Sequence, residues 1–118
     1  MNKDILNNYI QYYITVFNDK SKFQEFINLF NKHSKLIYNI LEYKEQNLII
    51  FLTEFYKYKI DIVNLQTSFM LNGDRRANIL LSYTLIDSTN NTKNISQYIQ
   101  LAYSNKEYWI HSSLININ

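Results

Sequence analysis

The sequence predicts an α+β protein in which three helices pack on one face of a mainly antiparallel sheet. Apolar residues recur at three- and four-residue spacing over residues 4–17, which indicates an amphipathic helix at the start of the chain. From residue 58 onwards apolar residues alternate with polar ones, as in half-buried strands. Asn72 and Gly73 lie between two such alternating stretches and predict a β-hairpin.

The first half of the chain predicts two further helices and a strand. Ser21 and Gln24 have the spacing of a capping box, so the second helix should begin at Ser21 and include Phe30, with Asn31 as its C-cap. Residues 35–41 are short and β-rich, which favours a strand. "LIIF" within residues 43–57 would suit a strand, but the length and charged ends of this stretch favour a third helix.

Four strands are predicted in the second half of the chain. The parity of the alternation changes within residues 58–71, which predicts a β-bulge near Ile62 and Val63. Asn72 and Gly73 should form a type I′ turn, because both residues tolerate positive φ. The remaining strands should cover residues 77–87, 95–104 and 108–117, joined by polar residues 88–94 and a short turn at 105–107. Together these strands should form a meander with one face on the helices.

Composition excludes several classes of protein. The 118 residues suit one domain, 1–118, and a hydrophobic fraction of 47% can fill a core. Without cysteine there is no disulfide, thiolate nucleophile or cysteine-based zinc site, which fits a reducing compartment. Gly73 is the only glycine, so glycine-rich phosphate loops are absent. A net charge of +2 is too small to imply nucleic-acid binding.

The sequence gives no indication of secretion or of membrane insertion. The N-terminal residues lack the apolar core of a signal peptide, and the longest aliphatic and aromatic run, residues 48–52, is too short to cross a bilayer. Asn90 and Asn94 begin glycosylation sequons, but without a secretion signal they are better interpreted as turn residues.

Few residues are candidates for catalysis or metal binding. His33 should lie at a helix end and His111 in a strand, and no cluster of further ligands accompanies either, so no metal site is predicted. Asp61 is the carboxylate that lies within an apolar strand pattern. It could act as a general base beside Tyr9 or Tyr13 in a central pocket, but a solvated strand residue is the favoured interpretation. We predict no catalytic residue and no cofactor.

Two small basic clusters are candidates for nucleic-acid contact. Lys57 and Lys59 precede the first long strand, and Arg75 and Arg76 follow the predicted turn. These side chains could touch phosphates, but the modest net charge favours solvated turn positions.

The sheet face that points away from the helices is the feature most indicative of function. In the last strand, alternation predicts that Ile110 and Leu114 point inward while Ser113 and Ile115 point outward. The predicted outward residues combine aromatic, aliphatic and uncharged polar side chains, which is the composition of an interface core rather than of a solvated face. The predicted partner-binding residues are Leu80, Thr84, Tyr98, Gln100, Trp109, His111 and Ser113.

The order of elements resembles the nuclear transport factor 2-like family, whose fold is a cone of three helices on a curved sheet. Within it, "KFQEFINLFN" and "KLIYN", in residues 22–39, are similar to the second helix and first strand of the small subunit of the fungal mRNA-export heterodimer. "IIFLTEF" (49–55), "IVNLQ" (62–66) and "ISQYIQLA" (95–102) are similar to that subunit's third helix and two of its strands. Gln97 stands where relatives carry a glutamine.

This resemblance implies a non-catalytic subunit that forms a heterodimer, through its sheet, with the similar domain of a large mRNA-export receptor. The pair would bind phenylalanine-glycine repeats of pore proteins and shuttle between nucleus and cytoplasm, with RNA contact indirect or weak. One alternative is a homodimeric transport factor that carries the GDP form of the GTPase Ran. Another is a small cone-fold enzyme of the isomerase or dehydratase type.

The sequence departs from these relatives at three places. Residues 113–116 stand where relatives often carry Asp-x-Phe-Arg, no glycine precedes the third helix near Tyr43, and the connection at 88–94 is short. The charged contacts of that motif, and the functions of a long internal loop, are therefore not carried over.

Overall fold

A computed structural model describes residues 3–73, 75–104 and 107–117. The helices are α1 (Lys3–Asn18), α2 (Phe23–Ile27) and α3 (Glu45–Tyr58), and a 3₁₀ turn (Lys20–Lys22) precedes α2. The strands are β1 (Phe30–Tyr38), β2 (Leu41–Lys44), β3 (Lys59–Leu71), β4 (Arg76–Asp87), β5 (Thr92–Ser104) and β6 (Glu107–Ile117). None of the helices in these ranges is long and apolar enough to span a membrane.

The six strands form one curved sheet in the order β2-β1-β6-β5-β4-β3. Strands β1 and β6 run parallel, and every other neighbouring pair is antiparallel. The three helices cover one face, which confirms the predicted α+β class and the meander of the last four strands. Aromatic rings fill the interior: the ring centroid of Phe17 lies 5.4 Å from that of Phe26 and 5.9 Å from that of Tyr83.

The start and length of the second helix differ from the prediction. The helix begins at Phe23 rather than Ser21, and its N-cap residue, Lys22, makes no side-chain capping bond. Asp19 instead caps the preceding 3₁₀ turn: its Oδ1 accepts hydrogen bonds from the backbone N–H of Ser21 at 3.0 Å and from the hydroxyl of Ser21 at 2.7 Å. The helix ends at Ile27, because the carbonyl of Leu29 already accepts a hydrogen bond from the N–H of Ile110 in β6 at 2.9 Å. Pairing with a distant strand therefore replaces the last helical turn.

Several residues assigned to that helix end belong to β1 instead. Phe30 and Asn31 are the first two residues of the strand, so the predicted C-cap at Asn31 is wrong. His33 is exposed within β1 rather than at a helix end. Strand β2 was not predicted; its half-buried Tyr43 packs against Phe51 of α3, with ring centroids 4.6 Å apart.

Strand β3 contains two bulges rather than one. Its register against β4 shifts between Lys59 and Asp61, and again between Val63 and Gln66. The two shifts bracket the predicted position, and Asn64 takes a left-handed φ of 56° within the second. Because each bulge adds a residue and bends the strand, β3 curves along the edge of the sheet.

The predicted hairpin is present, but the prediction of a type I′ turn is wrong. Gly73 has a φ of 77°, whereas Asn72 does not have the positive φ that a type I′ turn requires. The N–H of Asn72 donates to the carbonyl of Arg76 at 2.9 Å, so the connection spans residues 72–75. Position 74 of this loop, and positions 105–106 of the other predicted turn, lie outside the described residues.

A bulge in β6 reverses the predicted orientation of the residues that follow it. Leu101 pairs with Ile110, whereas Gln100 pairs with Ser112, so His111 is the extra residue. The predicted inward direction of Leu114 and outward directions of Ser113 and Ile115 are therefore wrong. Ser113 and Ile115 are 1% and 2% exposed inside the cone.

Candidate functional site

The residues that point away from the helices form a continuous uncharged surface, which we call the outer face. Leu80, Tyr98 and Leu114 lie in register on β4, β5 and β6 and form its central row. Charged residues stand at its margins, with Asp61 at one end of the sheet and Arg76 at the other. The outer face consists of Gln66, Ser68, Met70, Asn78, Leu80, Ser82, Thr84, Asn94, Ser96, Tyr98, Gln100, Ser112, Leu114 and Asn116.

Some polar groups of the outer face bond to each other across strands. The hydroxyl of Thr84 donates to Oδ1 of Asn94 at 3.0 Å, and the hydroxyl of Ser112 donates to Oε1 of Gln100 at 2.7 Å. Leu80 nevertheless remains 52% exposed and Met70 65% exposed. The face therefore presents exposed apolar side chains among polar groups, some of which already have partners.

A shallow groove of about 410 Å³ crosses the outer face. Serines and Gln66 border it, and Leu80, Tyr98 and Asn116 contribute to its lining. The groove lies over the paired strands β3, β4 and β5, just beyond the second bulge of β3.

Six of the seven predicted partner-binding residues lie on this side of the sheet. The exception is Ser113, whose hydroxyl accepts a hydrogen bond from Nε2 of Gln97 at 3.0 Å inside the cone. Leu114 and Asn116 take its place outside. Sequence reasoning missed them because the bulge at His111 contains neither glycine nor proline.

At one end of the outer face, Arg76, Ala102 and Trp109 lie in register on β4, β5 and β6. Trp109 is half-buried, its Nε1 donates to the hydroxyl of Ser104 at 3.3 Å, and its ring lies 5.6 Å from that of His111. Arg76 was predicted to be a solvated turn residue. It is instead the first residue of β4 and points to the same side as Leu80.

The other basic cluster, Lys57 and Lys59, does not form a shared basic surface. Lys57 is exposed, but Lys59 is fully buried, so the predicted contact of Lys59 with nucleic acid is wrong. The Nζ of Lys59 lies 5.1 Å from the ring centroid of Phe17 and 5.2 Å from that of Tyr56, and has no hydrogen-bond partner among the described residues. Burial lowers the pKa of Lys59 to about 8.

Gln97 organises a buried polar network in the cone. Its Nε2 donates to the hydroxyl of Tyr13 at 2.8 Å and to that of Ser113, while its Oε1 accepts from the hydroxyl of Tyr83 at 3.0 Å. Burial raises the pKa of both tyrosines, so their phenols stay neutral. The amide satisfies these hydroxyls in a space filled by protein, which is a structural role.

Asp61 does not join this network. It is half-buried and pairs with Ile86 on the outer side of β3, and its Oδ1 accepts the N–H of Ile62 at 2.8 Å. Tyr9, the other tyrosine considered beside Asp61, packs instead against Tyr108, with ring centroids 5.8 Å apart. The structure therefore does not bring Asp61 together with either tyrosine.

A second cavity, of about 320 Å³, opens at the mouth of the cone. Aromatic and aliphatic side chains such as Phe51, Phe55 and Leu85 line it, and Asp87 stands at its margin. The carboxylate of Asp87 accepts hydrogen bonds from Thr89 and Asn91 in the following turn, and these bonds lower its pKa. No group of three or more metal-ligating side chains occurs among the described residues.

No model of a known protein family matches the sequence, and no curated protein matches it. Solved structures do match. Nuclear transport factor 2 from Cryptosporidium parvum has a TM-score of 0.73 and 13% identity, over 95% of this chain and 90% of that one. A nuclear transport factor 2-like protein from Cytophaga hutchinsonii has a TM-score of 0.76 and 8% identity, over 100% of both chains.

A further nuclear transport factor 2-like protein, of unknown function, from Shewanella oneidensis has a TM-score of 0.76 and 10% identity, over 98% of this chain and 99% of that one. The chain therefore has a nuclear transport factor 2-like fold, as the sequence resemblance implied. Identities this low show the fold alone.

Proposed function

We propose that the chain is the non-catalytic small subunit of an mRNA-export receptor and that it pairs through its outer face with the similar domain of the large subunit. The observation that carries this proposal is the uncharged outer face, with its central row of Leu80, Tyr98 and Leu114. The resemblance of residues 22–39 to the small export subunit is the reason for assigning this particular role.

The central row has the properties of an interface anchor. Tyr98 is half-buried between two leucines, so its ring is already positioned and loses little conformational freedom on binding. Burial of the exposed side chains of Leu80 and Met70 by a partner would stabilise the complex. Cross-strand hydrogen bonds such as that from Thr84 to Asn94 can persist in the bound state, which limits the cost of desolvation.

The position of Asp61 supports the absence of catalysis in this proposal. Its carboxylate stands on the outer side of β3, and the interior hydroxyls of Tyr13 and Tyr83 are held by Gln97. An acid–base mechanism in the cone would need a titratable group facing a bound substrate. In our proposal the chain contributes a binding surface and does not catalyse a reaction.

The proposal extends to partners and location. The heterodimer would shuttle between nucleus and cytoplasm and bind phenylalanine-glycine repeats at the pore. RNA contact by this chain would be indirect or weak, since Lys59 is buried and cannot add to an RNA-binding surface.

Replacement of Tyr98 with glutamate tests the interface. Tyr98→Glu should keep its circular dichroism spectrum but fail to co-purify with the homologous domain of the large export receptor, because an unpaired charge in the interface costs several kcal/mol. Gln11→Glu, an exposed position on α1, is the matched control and should co-purify normally. A folded Tyr98→Glu protein that co-purifies at wild-type yield would show that the outer face is not the interface.

A further inference from the structure

We propose that one end of the outer face receives a carboxylate-bearing segment of the protein partner. The site consists of Lys35, Arg76, Trp109 and His111, and we call it the basic corner. This inference rests on the proposed function, because the basic corner continues the uncharged surface assigned to the partner. It adds that the partner must present a carboxylate at the basic corner.

The sheet register brings the basic corner together from three strands. Arg76 and Trp109 stand on either side of Ala102, whose small side chain is only 5% exposed because its neighbours cover it. His111 is the bulged residue of β6 and lies beside Trp109. Lys35 of β1 pairs with Ser112, the next residue of β6.

The cations of the basic corner have no ion-pair partner in the described ranges, although the exposed Glu107 stands two residues before Trp109 in β6. No carboxylate among the described residues forms an ion pair or hydrogen bond with Lys35 or Arg76. The nearby cation of β2, Lys44, has its own partner, Glu42, at 3.1 Å. Burial lowers the pKa of His111, and the nearby charges of Arg76 and Lys35 lower it further.

A partner that covers the outer face cannot leave this charge uncompensated. Removing Arg76 or Lys35 from water without an anion carries a large desolvation cost, which a hydrogen-bonded carboxylate offsets. The Nδ1 of His111 is buried and has no hydrogen-bond partner among the described residues, so the corner contains a polar atom that a ligand could satisfy. Charge complementarity and continuity with the uncharged face therefore favour an acidic protein segment.

Nucleic acid is the less favoured occupant. Backbone recognition needs a track of cations along many phosphates, and here two permanent cations flank an uncharged surface on a chain with a net charge of +2. The two classes of ligand are separable by direct titration.

Trp109 provides the measurement, because it is the only tryptophan of the chain and lies within the basic corner. The full-length chain is titrated with hexaglutamate at low salt while tryptophan fluorescence is followed. The signal should saturate, and the double variant Lys35→Gln/Arg76→Gln should bind at least about tenfold more weakly, which corresponds to about 1.4 kcal/mol. The control Lys57→Gln/Lys93→Gln removes the same charge from exposed positions elsewhere and should bind like the wild type.

Three outcomes would overturn the inference. One is the absence of a saturable signal with hexaglutamate, and another is equal weakening in both double variants, which would indicate a general charge effect. The third is tighter binding of oligouridylate than of hexaglutamate through Lys35 and Arg76, which would make the corner a nucleic-acid site.

The same variants separate this inference from the proposed function. One outcome is that Tyr98→Glu abolishes pairing with the export-receptor domain while Lys35→Gln/Arg76→Gln pairs with wild-type affinity. In that case the basic corner does not bind the partner, but the outer face is still the interface. If the wild-type chain does not pair with that domain but binds hexaglutamate through the basic corner, the proposed function is wrong. The inference that the corner binds a carboxylate-bearing ligand is then retained.

Discussion

Single side chains account for the sharpest differences between sequence and structure. Lys59 was assigned to a basic surface cluster, yet it is enclosed beneath α1, with its amine between the rings of Phe17 and Tyr56. The register shift immediately after Lys59 decides its direction, and no glycine or proline marks that shift. Gln97 was likewise noted from the resemblance, but its role became clear from the hydroxyls around it.

The buried amine predicts how stability depends on pH. The pKa of Lys59 is about 8 in the folded chain against 10.5 for a free side chain, so the unfolded chain binds more protons between these values. The penalty of burying the charge is fully present below pH 8 and disappears as pH rises through 10.5. Lys59→Met should therefore be more stable than the wild type at pH 7, by on the order of 1–3 kcal/mol after allowance for the cation–π contacts.

Urea unfolding of both proteins at pH 7 and at pH 10 measures this effect. Tyrosines titrate alike in the two proteins, so the difference between them isolates Lys59. The advantage of Lys59→Met should shrink at pH 10. An advantage of the same size at both pH values would show that the charge of Lys59 is not the cause.

At the scale of elements, local patterns identified α1 from its periodicity, α3 from its length and charged ends, and the last four strands from alternation that holds between their bulges. The failures lie where long-range pairing overrides local preference. The stretch after Ile27 looks helical, but the bond from Ile110 to the carbonyl of Leu29 draws it into the sheet. Strand β2 has four residues, too few to show a period.

The hairpin between β3 and β4 gives a prediction at this scale. Gly73 has a φ of 77°, and a Cβ added there would meet nothing within 4 Å, so backbone strain alone decides the effect of substitution. Gly73→Ala should destabilise the chain by about 1 kcal/mol. Gly73→Asn should cost less, since asparagine tolerates the left-handed region. Urea unfolding of the three proteins tests this order, and an alanine variant as stable as the wild type would contradict it.

At the scale of the whole molecule, the cone could be predicted from the order of elements, but its outer face could be predicted only in part. Strict alternation placed Leu80 and Tyr98 correctly, and it failed after the bulge at His111. The bulge exchanges Ser113 and Ile115 for Leu114 and Asn116 on the outside, so the apolar residue of this stretch lies beside Tyr98 rather than near the end of β6. The inferred partner surface thus gains an apolar residue at its centre.

This surface predicts the behaviour of the isolated chain. Leu80, Met70 and Leu114 lie on one face without intervening charge, and an apolar patch of this kind promotes association when no partner covers it. The chain expressed alone should therefore self-associate, and co-expression with its partner should make it soluble. Size-exclusion chromatography with light scattering over a range of concentrations measures the effect.

A matched variant shows whether the outer face is responsible. Leu80→Lys/Met70→Lys replaces two exposed side chains that contribute little to the core, so the fold should persist by circular dichroism while association falls. Ile49→Lys/Ile50→Lys makes the same charge change at exposed positions on α3 and should still self-associate. A monodisperse wild-type monomer at high concentration would count strongly against an uncovered interface. Equal rescue by the α3 variant would mean that added charge, not the outer face, controls solubility.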